Sequence, residues 1–238
     1  MLLSRIASRQ VWLQARLDLL AKEKELSRAQ LALAEERRGL PVVPIHKSYV
    51  FTGPNGPMKL VDLFEGRSQL IIYHFMWLHE IDEGCPSCSF AVDNMPDPVH
   101  LNKGADTTLA LVSRAPFERI EQFRNRMGWT LPWYSSDGSD FNYDYHVSND
   151  EAIAPAEYNY KDNETLLREG LDYVASDNSD GQGVSVFVRD GAQVFHTYSA
   201  YAVGADVMLS TYRFLDLTPS GRQRYVNEWA WHDRYDGY

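Results

Sequence analysis

The two cysteines of the chain lie three positions apart in the stretch HEIDEGCPSCSF, residues 79–90. Cysteines with this spacing carry out thiol–disulfide exchange or bind metal in proteins. Cys85 comes just after the most apolar run of the sequence, Pro86 suits the first turn of a helix, and Cys88 falls one turn later. At a helix N-terminus, unpaired backbone N–H groups and the positive end of the dipole favour a thiolate. The pattern therefore predicts an outer thiol at Cys85 that is presented to solvent, with an inner thiol beneath it that can resolve a mixed disulfide.

Two other interpretations of the cysteine pair stay open. Zinc could be held by the two cysteines with His79 and His74, but structural zinc usually takes two matched pairs at regular spacing. The segment HEIDE has Glu83 where a zinc protease motif requires its second histidine. The third interpretation is that two small buried residues lie close together without chemistry. We predict neither a metal site nor a bound cofactor.

Charged and aromatic neighbours are expected to tune the thiols. Glu80, Asp82 and Glu83 precede Cys85, and nearby carboxylates raise a thiol pKa. Arg114 follows the next predicted strand in VSRAP. Because the carboxyl ends of parallel strands meet at one edge of a sheet, we expect Arg114 to lie beside the cysteine loop and to support the thiolate. An ion pair with Glu118 is the alternative role. The loop itself offers two further supporting candidates, Trp77 and His79.

The first 40 residues are expected to form a separate arm. Ser8 to Arg38 predicts one helix of about 30 residues and about 45 Å, with Ser8 as its cap and Gly39 and Pro41 after its end. A stripe of apolar residues recurs every seven positions, namely Trp12, Leu19, Leu26, Leu33 and Leu40. The stripe predicts a contact with a second copy of the chain, with packing on its own domain as the alternative. Residues 1–40 carry a net charge of +3, which leaves −13 for the remainder.

The body of the chain, residues 41–238, predicts an α/β domain with a parallel pair of central strands. Its signals are two short strands around GPNGP, unbroken apolar runs typical of buried strands, a helix framed by Pro116 and Gly128, and a hairpin at Asp190 and Gly191. The predicted ranges are strands at 68–75 and 107–113, a helix at 116–127, a hairpin within 183–201 and a helix at 205–217.

Two segments of this body lack a clear pattern. Residues 148–182 hold nine acidic residues against Lys161 and Arg168, which indicates an acidic insertion or loop. Just before it, GSDFNYDYH places Asp140, Asn142 and Tyr143 in a polar and aromatic cluster that could line a pocket. The alternative is a loop held by Asp and Asn side chains and packed Tyr rings.

Composition excludes several classes of partner. The net charge is −10 and the pI is near 5.1, so neither nucleic acid nor an anionic membrane surface is an expected partner. No run approaches the roughly 18 apolar residues that span a bilayer. The N-terminus lacks the apolar region of a signal peptide, so we expect a cytoplasmic protein whose thiols stay reduced.

The motifs together resemble a known family. The segments YHFMW, GCPSCSF, VSRAP, RMGW, GSDFNYDY, HTYSAYAVG and LDLTPSGR are similar to those of a bacterial family of uncharacterised proteins described as predicted dithiol-disulfide oxidoreductases. The order of elements resembles the thioredoxin-like fold in its peroxiredoxin-type elaboration. The resemblance implies a three-layer sandwich with a central mixed sheet, Cys85 as nucleophile and Cys88 as resolving thiol. Its substrate would be a thiol or disulfide of unknown identity.

The sequence departs from the wider fold family at two places. Thioredoxins have a cis-proline before the strand that closes the sheet, and no proline stands near Gly183, Val184 and Ser185. Peroxiredoxins have a threonine three residues before the reactive cysteine, where this chain has Asp82. Two hypotheses follow: a thiol–disulfide oxidoreductase, or a non-catalytic binding or interaction protein with vestigial or regulatory cysteines and the long helix as its interface.

Overall fold

An eight-stranded mixed sheet forms the middle layer of the molecule, in the order β1-β14-β13-β4-β7-β8-β2-β3. The computed structural model describes residues 6–176 and 178–236 of the chain, so Asp177, one of the nine acids of the predicted insertion, lies outside the described residues. The described part contains fourteen strands, which are β1 (Val43–Pro44), β2 (Val50–Gly53), β3 (Gly56–Lys59), β4 (Gln69–His74), β5 (Trp77–Leu78), β6 (Glu83–Gly84), β7 (Thr107–Ser113), β8 (Trp133–Ser135), β9 (Ser148–Asn149), β10 (Glu157–Tyr158), β11 (Lys161–Asp162), β12 (Ser179–Asp180), β13 (Gly183–Asp190) and β14 (Gln193–Tyr201).

The first α-helix has 30 residues, and the other α-helices within the described ranges have ten or fewer. The α-helices in the described ranges are α1 (Arg9–Arg38), α2 (Pro86–Asp93), α3 (Phe117–Arg126), α4 (Phe141–Asp144), α5 (Asn163–Arg168), α6 (Asp172–Ala175) and α7 (Ser210–Leu215). Tighter 3₁₀ turns cover Leu60–Phe64, Ala202–Met208, Val226–Glu228 and His232–Arg234, and a π-helical turn covers His100–Gly104.

The central strands divide the core into two halves because successive side chains point to opposite faces. On β4, Leu70 and Ile72 pack on one face while Tyr73 packs on the other. Strand β7 is buried at all seven positions and pairs parallel with β4 along six of them. Fully burying one large apolar side chain contributes about 1.5–3 kcal/mol. Both unbroken apolar runs of the sequence are therefore central strands, as predicted.

The two faces of the sheet are covered by different elements. Helices α2, α3 and α7 cover the face that carries Tyr73, whereas α4 and the turn Leu60–Phe64 cover the other. The chain passes from β4 through α2 into parallel β7, and later returns as the antiparallel hairpin β13–β14 before α7, with β13 beside β4. This is a thioredoxin-like arrangement of three layers. The fold class predicted from the sequence is confirmed.

Two predicted segments differ from the structure. Residues 148–176 and 178–182 form short strands and two helices around a small core that they share with Val147 and with Tyr201 of β14, so of the two predicted alternatives, an insertion or a loop, the loop is wrong. Short elements of two to six residues leave too little periodicity to detect in the sequence. The helix predicted at 205–217 is a 3₁₀ turn followed by α7, with Leu209 outside helical geometry between them.

Helix α1 extends as an arm from the body. Ser8 caps it, with the backbone N–H of Val11 donating to the Ser8 hydroxyl at 3.3 Å, as the sequence predicted. None of its residues is buried, and Leu26 is 60% exposed. The alternative in which the stripe packs on its own domain is therefore wrong. No helix within the described ranges has the length and the apolar character that a bilayer crossing demands.

Pairing of α1 with a second copy stays a prediction, and the exposed stripe gives it a direct test. Leu26→Glu with Leu33→Glu places charges on the stripe, whereas Ala32→Glu places one away from it on the same helix. We expect the double variant to be monomeric and the Ala32→Glu protein to remain a dimer in sedimentation velocity runs at micromolar concentration. A wild-type protein that sediments as a monomer at all concentrations would contradict the prediction.

Candidate active site

Cys85 is the N-cap residue of α2, and Pro86 occupies the first turn of that helix, as the sequence predicted. The backbone N–H of Cys85 donates to the carbonyl of Met76 at 3.2 Å, which ties the cysteine loop to the end of β4. A glycine is needed just before it, since a Cβ on Gly84 would lie 2.6 Å from the ring of Phe123. The loop is thus held from the sheet side and from α3.

The two thiols are free, and each affects the pKa of the other. The hydrogen bond from Cys88 is the main cause that lowers the pKa of Cys85, and a second contact, with the Ser87 hydroxyl 3.0 Å from the Cys85 sulfur, acts in the same direction. Burial opposes both, and the resulting pKa of Cys85 is about 6. Cys85 is therefore largely a thiolate at neutral pH.

Cys88 lies beneath Cys85 and is only 1% exposed. Its pKa is raised because burial disfavours the thiolate and because Cys85 is adjacent. Two donors act against this: the backbone N–H of Met76, 3.4 Å from the sulfur, and the hydroxyl of Tyr73. One thiol is thus held as a thiolate and the other as a neutral thiol, with their pKa values moved apart.

The acidic residues before Cys85 do not act as the sequence predicted. Asp82 accepts from the indole N–H of Trp77 at 3.2 Å and pairs with Arg119 at 3.0 Å. Glu83 is bound by Arg126 and by Arg234. The expectation that these carboxylates raise the pKa of Cys85 is wrong, because arginines from distant parts of the chain compensate Asp82 and Glu83 and the thiol has its own donors.

Cys85 is not presented to bulk solvent, which corrects a second expectation. It is 6% exposed and lies at the wall of a pocket of about 960 Å³. One side of the pocket is formed by Tyr73, Met76 and Ser87 around the thiol. The other side is formed by the turn Ala202–Met208 and by residues 222–228 near the C-terminus. The sulfur is covered, but it faces a space that can hold a ligand.

Residues 222–228 line the pocket and form its roof, and they are the first part of residues 222–236, named here the C-terminal segment. Trp229 stacks on Phe90 of α2 with ring centroids 4.9 Å apart, and the indole N–H of Trp231 donates to the carbonyl of Gly84 at 2.8 Å. Asp233 pairs with Arg126 of α3 at 2.7 Å. The aromatic C-terminal segment therefore packs against α2, the cysteine loop and α3, a role that the sequence did not indicate.

The three supporting residues predicted from the sequence meet at Asp180 rather than at the thiols. Asp180 is buried and accepts from the Trp77 backbone N–H at 3.3 Å, lies 3.2 Å from His79 Nε2 and pairs with Arg114 at 3.1 Å. It also accepts from the Ser148 hydroxyl at 2.6 Å. Removing one partner of such a buried pair typically costs about 3–5 kcal/mol. Asp180 therefore fixes residue 77, next to the Met76 N–H that contacts Cys88.

Arg114 makes its remaining contacts in the same region. Its guanidinium donates to the side chain of Asn178 at 2.8 Å and to the hydroxyl of Tyr143 at 3.3 Å. The lowered pKa of Cys85 has its main causes in Cys88 and Ser87. Direct support of the thiolate by Arg114 stays a prediction, and the observed geometry gives Arg114 a role in holding residues 178–180 against the cysteine loop.

The three residues of the polar cluster predicted at 140–143 contact three different partners. Asp140 pairs with Lys47 at 2.8 Å on the surface. Asn142 is buried and accepts from the hydroxyl of Ser136 at 2.7 Å. Tyr143 contacts Arg114, as described above. These three side chains are not among the lining residues of the pocket beside Cys85.

The histidines considered as zinc ligands have other partners. His74 hydrogen-bonds to Ser185 at 2.8 Å, and burial lowers its pKa to about 3, so it is neutral. His79 lies against Asp180. Across residues 6–176 and 178–236, no three or more His, Cys, Asp and Glu side chains group in a way that could hold a metal ion.

Several residues of the site could not be found from the sequence. Tyr73 and Ser87 are ordinary members of a buried strand and of a helix start, and the folded structure is needed to show that their hydroxyls act on the two thiols. Asp180 was one acid among nine. The C-terminal segment has one signal in the sequence, its high content of Trp and Tyr. These side chains pack an apolar ring against a surface while their N–H or O–H group finds a hydrogen-bond partner.

The chain belongs to a family described as "Bacterial protein of unknown function (DUF899)", whose model matches residues 1–238. No curated protein matches the chain.

Solved structures with similar folds are more distant. Peroxiredoxin Q of Xanthomonas campestris is 14% identical, with a TM-score of 0.40 over 69% of this chain and 88% of that one. Peroxidoxin BcpB of Mycobacterium tuberculosis is 13% identical, with a TM-score of 0.41 over 74% and 96%. A putative protein disulfide isomerase of Bacteroides thetaiotaomicron is 12% identical, with a TM-score of 0.39 over 73% and 89%. Nothing about the chemistry of this chain follows from these likenesses.

The lowered pKa of Cys85 predicts its reactivity with iodoacetamide as a function of pH. The thiolate is the nucleophile, so the alkylation rate should rise through a midpoint near pH 6 in the folded protein and near pH 8.5 in about 8 M urea. Cys88→Ala removes the main donor and should move the midpoint up the furthest, with a smaller shift for Ser87→Ala. Peptide mapping assigns the label to Cys85. A folded-state midpoint at or above about 8.5 would rule out the electrostatics described here.

Proposed function

We propose that the protein is a thiol–disulfide oxidoreductase in which Cys85 attacks a disulfide and Cys88 resolves the mixed disulfide. The observation that carries the proposal is the arrangement of the two thiols: one has a lowered pKa and faces a pocket, and the other is its hydrogen-bond donor from beneath. A pair of structural cysteines has no need of either feature.

The first step uses the Cys85 thiolate. It attacks one sulfur of the substrate disulfide, so that a Cys85–substrate disulfide forms and the substrate's other half leaves as a thiolate. An attacking thiol works best when its pKa is near the ambient pH, because a lower pKa also weakens the nucleophile. A pKa of about 6 gives a nearly complete thiolate at neutral pH with little loss of nucleophilicity.

The second step uses Cys88. Once Cys85 is in the mixed disulfide it no longer carries the negative charge that disfavours a second thiolate beside it, so the pKa of Cys88 falls. The Cys88 thiol gives up its proton to the thiolate released in the first step or to water and attacks the Cys85 sulfur, so that the Cys85–Cys88 disulfide forms and the bound half of the substrate leaves as a second thiolate. The hydroxyl of Tyr73 and the N–H of Met76 donate to the developing Cys88 thiolate.

Turnover needs a reductant of the dithiol class that returns the Cys85–Cys88 disulfide to two thiols. A reducing compartment such as the cytoplasm, expected from the sequence, supplies thiols of this class. The cytoplasmic location is part of the proposal and can be checked by fractionation.

A second candidate function is a non-catalytic interaction protein, and one observation favours it. Helix α1 presents apolar residues along about 45 Å without burying any of them in its own chain, which suits an interface. In that case the cysteines would be regulatory or vestigial. The two candidates differ in whether the cysteines form a reversible couple.

The oxidoreductase proposal predicts a reversible dithiol–disulfide couple with a potential of about −200 to −300 mV. The protein is equilibrated in glutathione or dithiothreitol buffers, the remaining thiols are blocked, and the Cys85 and Cys88 peptides are quantified by mass spectrometry. Cys88→Ser should accumulate a mixed disulfide at Cys85, while Cys85→Ser should form none at Cys88. The absence of any reversible couple in the wild-type protein would contradict the oxidoreductase proposal and leave the non-catalytic interaction protein as the remaining candidate.

The contact of Tyr73 with Cys88 predicts which of the two steps it assists. Tyr73→Phe removes a donor worth about 1 kcal/mol, so resolution should slow roughly five- to tenfold while the attack by Cys85 keeps its rate. With 4,4′-dithiodipyridine, thiopyridone release in a stopped-flow instrument reports both steps as separate phases. Tyr134→Phe, on the other face of the sheet, serves as the matched control. Slowing of the first phase alone, or of neither phase, would contradict this role.

A further inference from the structure

The pocket beside Cys85 has walls of a distinct chemical character. Next to the sulfur they are apolar or aromatic, with Tyr73, Met76 and Ala91 on the sheet and helix side. Opposite them stand Met208, Leu209 and Val226. At about 960 Å³ the pocket has the size of a site for a small molecule. The free energy of binding in this pocket is therefore more favourable for an apolar group than for a charged one.

The charged groups at this pocket are balanced and already partnered. Asp206 pairs with Arg222 at 3.8 Å, and the Arg222 guanidinium lies 4.5 Å from the centre of the Tyr212 ring. The carboxylate of Glu228 accepts from the backbone N–H of Tyr225, and the guanidinium of Arg224 lies 5.7 Å from the ring of Trp229. Two carboxylates therefore stand against two guanidinium groups. The walls offer no excess charge of either sign to a charged substrate.

The roof limits the size of what can reach the sulfur. The C-terminal segment is attached on both sides of the cysteine loop, through Trp229 on α2 and through Asp233 on α3. It lies over a thiol that is only 6% exposed. A disulfide on the surface of a folded protein needs an open face around the nucleophile, whereas a small molecule can enter the pocket itself.

We propose that the substrate of Cys85 is a neutral, low-molecular-weight organic disulfide with an apolar body that fills this pocket. This inference rests on the proposed oxidoreductase function and narrows its substrate class. The Cys85 thiolate takes one half of the disulfide and releases the other as a thiolate, after which Cys88 displaces the first half. The protein loses two electrons to the substrate, one disulfide becomes two thiols, and an external dithiol reverses the oxidation of the protein.

The test compares disulfides that differ in apolar length and in charge. Bis(2-hydroxyethyl) disulfide and bis(6-hydroxyhexyl) disulfide are neutral and share end groups, glutathione disulfide is charged, and insulin offers a disulfide in a folded protein. The reduced protein is mixed with each, and its oxidation is followed by acid quench, thiol alkylation and mass spectrometry. Each rate constant is divided by that of N-acetylcysteine with the same disulfide, which removes intrinsic reactivity.

The apolar walls predict a gain with chain length. A fully buried methylene is worth about fourfold in binding, so four added methylenes in each half should raise the normalised rate constant at least about tenfold. Glutathione disulfide and insulin should react at least about tenfold more slowly than the hydroxyhexyl compound.

Two variants locate the effect in the pocket. Val226 lines it, whereas Val207 is an exposed valine of the turn Ala202–Met208 that does not. Val226→Asp should abolish most of the gain with chain length, and Val207→Asp should retain it. Equal normalised rates for all four disulfides, or a gain that Val226→Asp leaves intact, would overturn the substrate class while the oxidoreductase function stands. Failure of every disulfide to oxidise the protein would instead overturn the proposed function.

Discussion

The interaction of the Cys88 thiol with Cys85, which is the main cause of the lowered pKa of Cys85, is the one on which the site depends. Burial alone would keep both thiols protonated, because a thiolate without donors is costly away from water. The same interaction lowers the pKa of Cys85 and adds to the effect of burial in raising the pKa of Cys88. It requires Cys85 at the N-cap of α2 and Cys88 in the first turn, which is the spacing that the sequence provides.

The fold maintains this contact from both ends. Strand β4 supplies Tyr73 and ends at His74, and the next residues give Met76, whose N–H contacts Cys88 and whose carbonyl receives the N–H of Cys85. Asp180 holds the following residue, Trp77, from the segment that precedes β13. Strand β13 also pairs with β4 in the sheet. The same strand pairing therefore positions both Asp180 and β4.

The sequence predicted those parts of the site whose signals are local. The N-caps Ser8 and Cys85 and the unbroken strands β4 and β7 each depend on residues within one element, and all were found. Asp180 lies 103 positions from its partner Trp77, and Trp231 lies 147 positions from the carbonyl that it contacts. No periodicity or cap reports such contacts, so the solvent exposure of Cys85 and the effect of the preceding carboxylates on its pKa were predicted wrongly.

The ion pairs of Glu83 connect the cysteine loop with the C-terminal segment. Glu83 is adjacent to Gly84 and would disfavour a thiolate at Cys85 if it stood alone. Its carboxylate is bound by Arg126 of α3 and by Arg234 of the C-terminal segment, and Arg126 also holds Asp233 of that segment. The ion pairs that attach the C-terminal segment to α3 therefore also compensate Glu83, the acid closest to Cys85 in the sequence. Arg126 therefore joins the cysteine loop, α3 and the C-terminal segment through two carboxylates, those of Glu83 and Asp233.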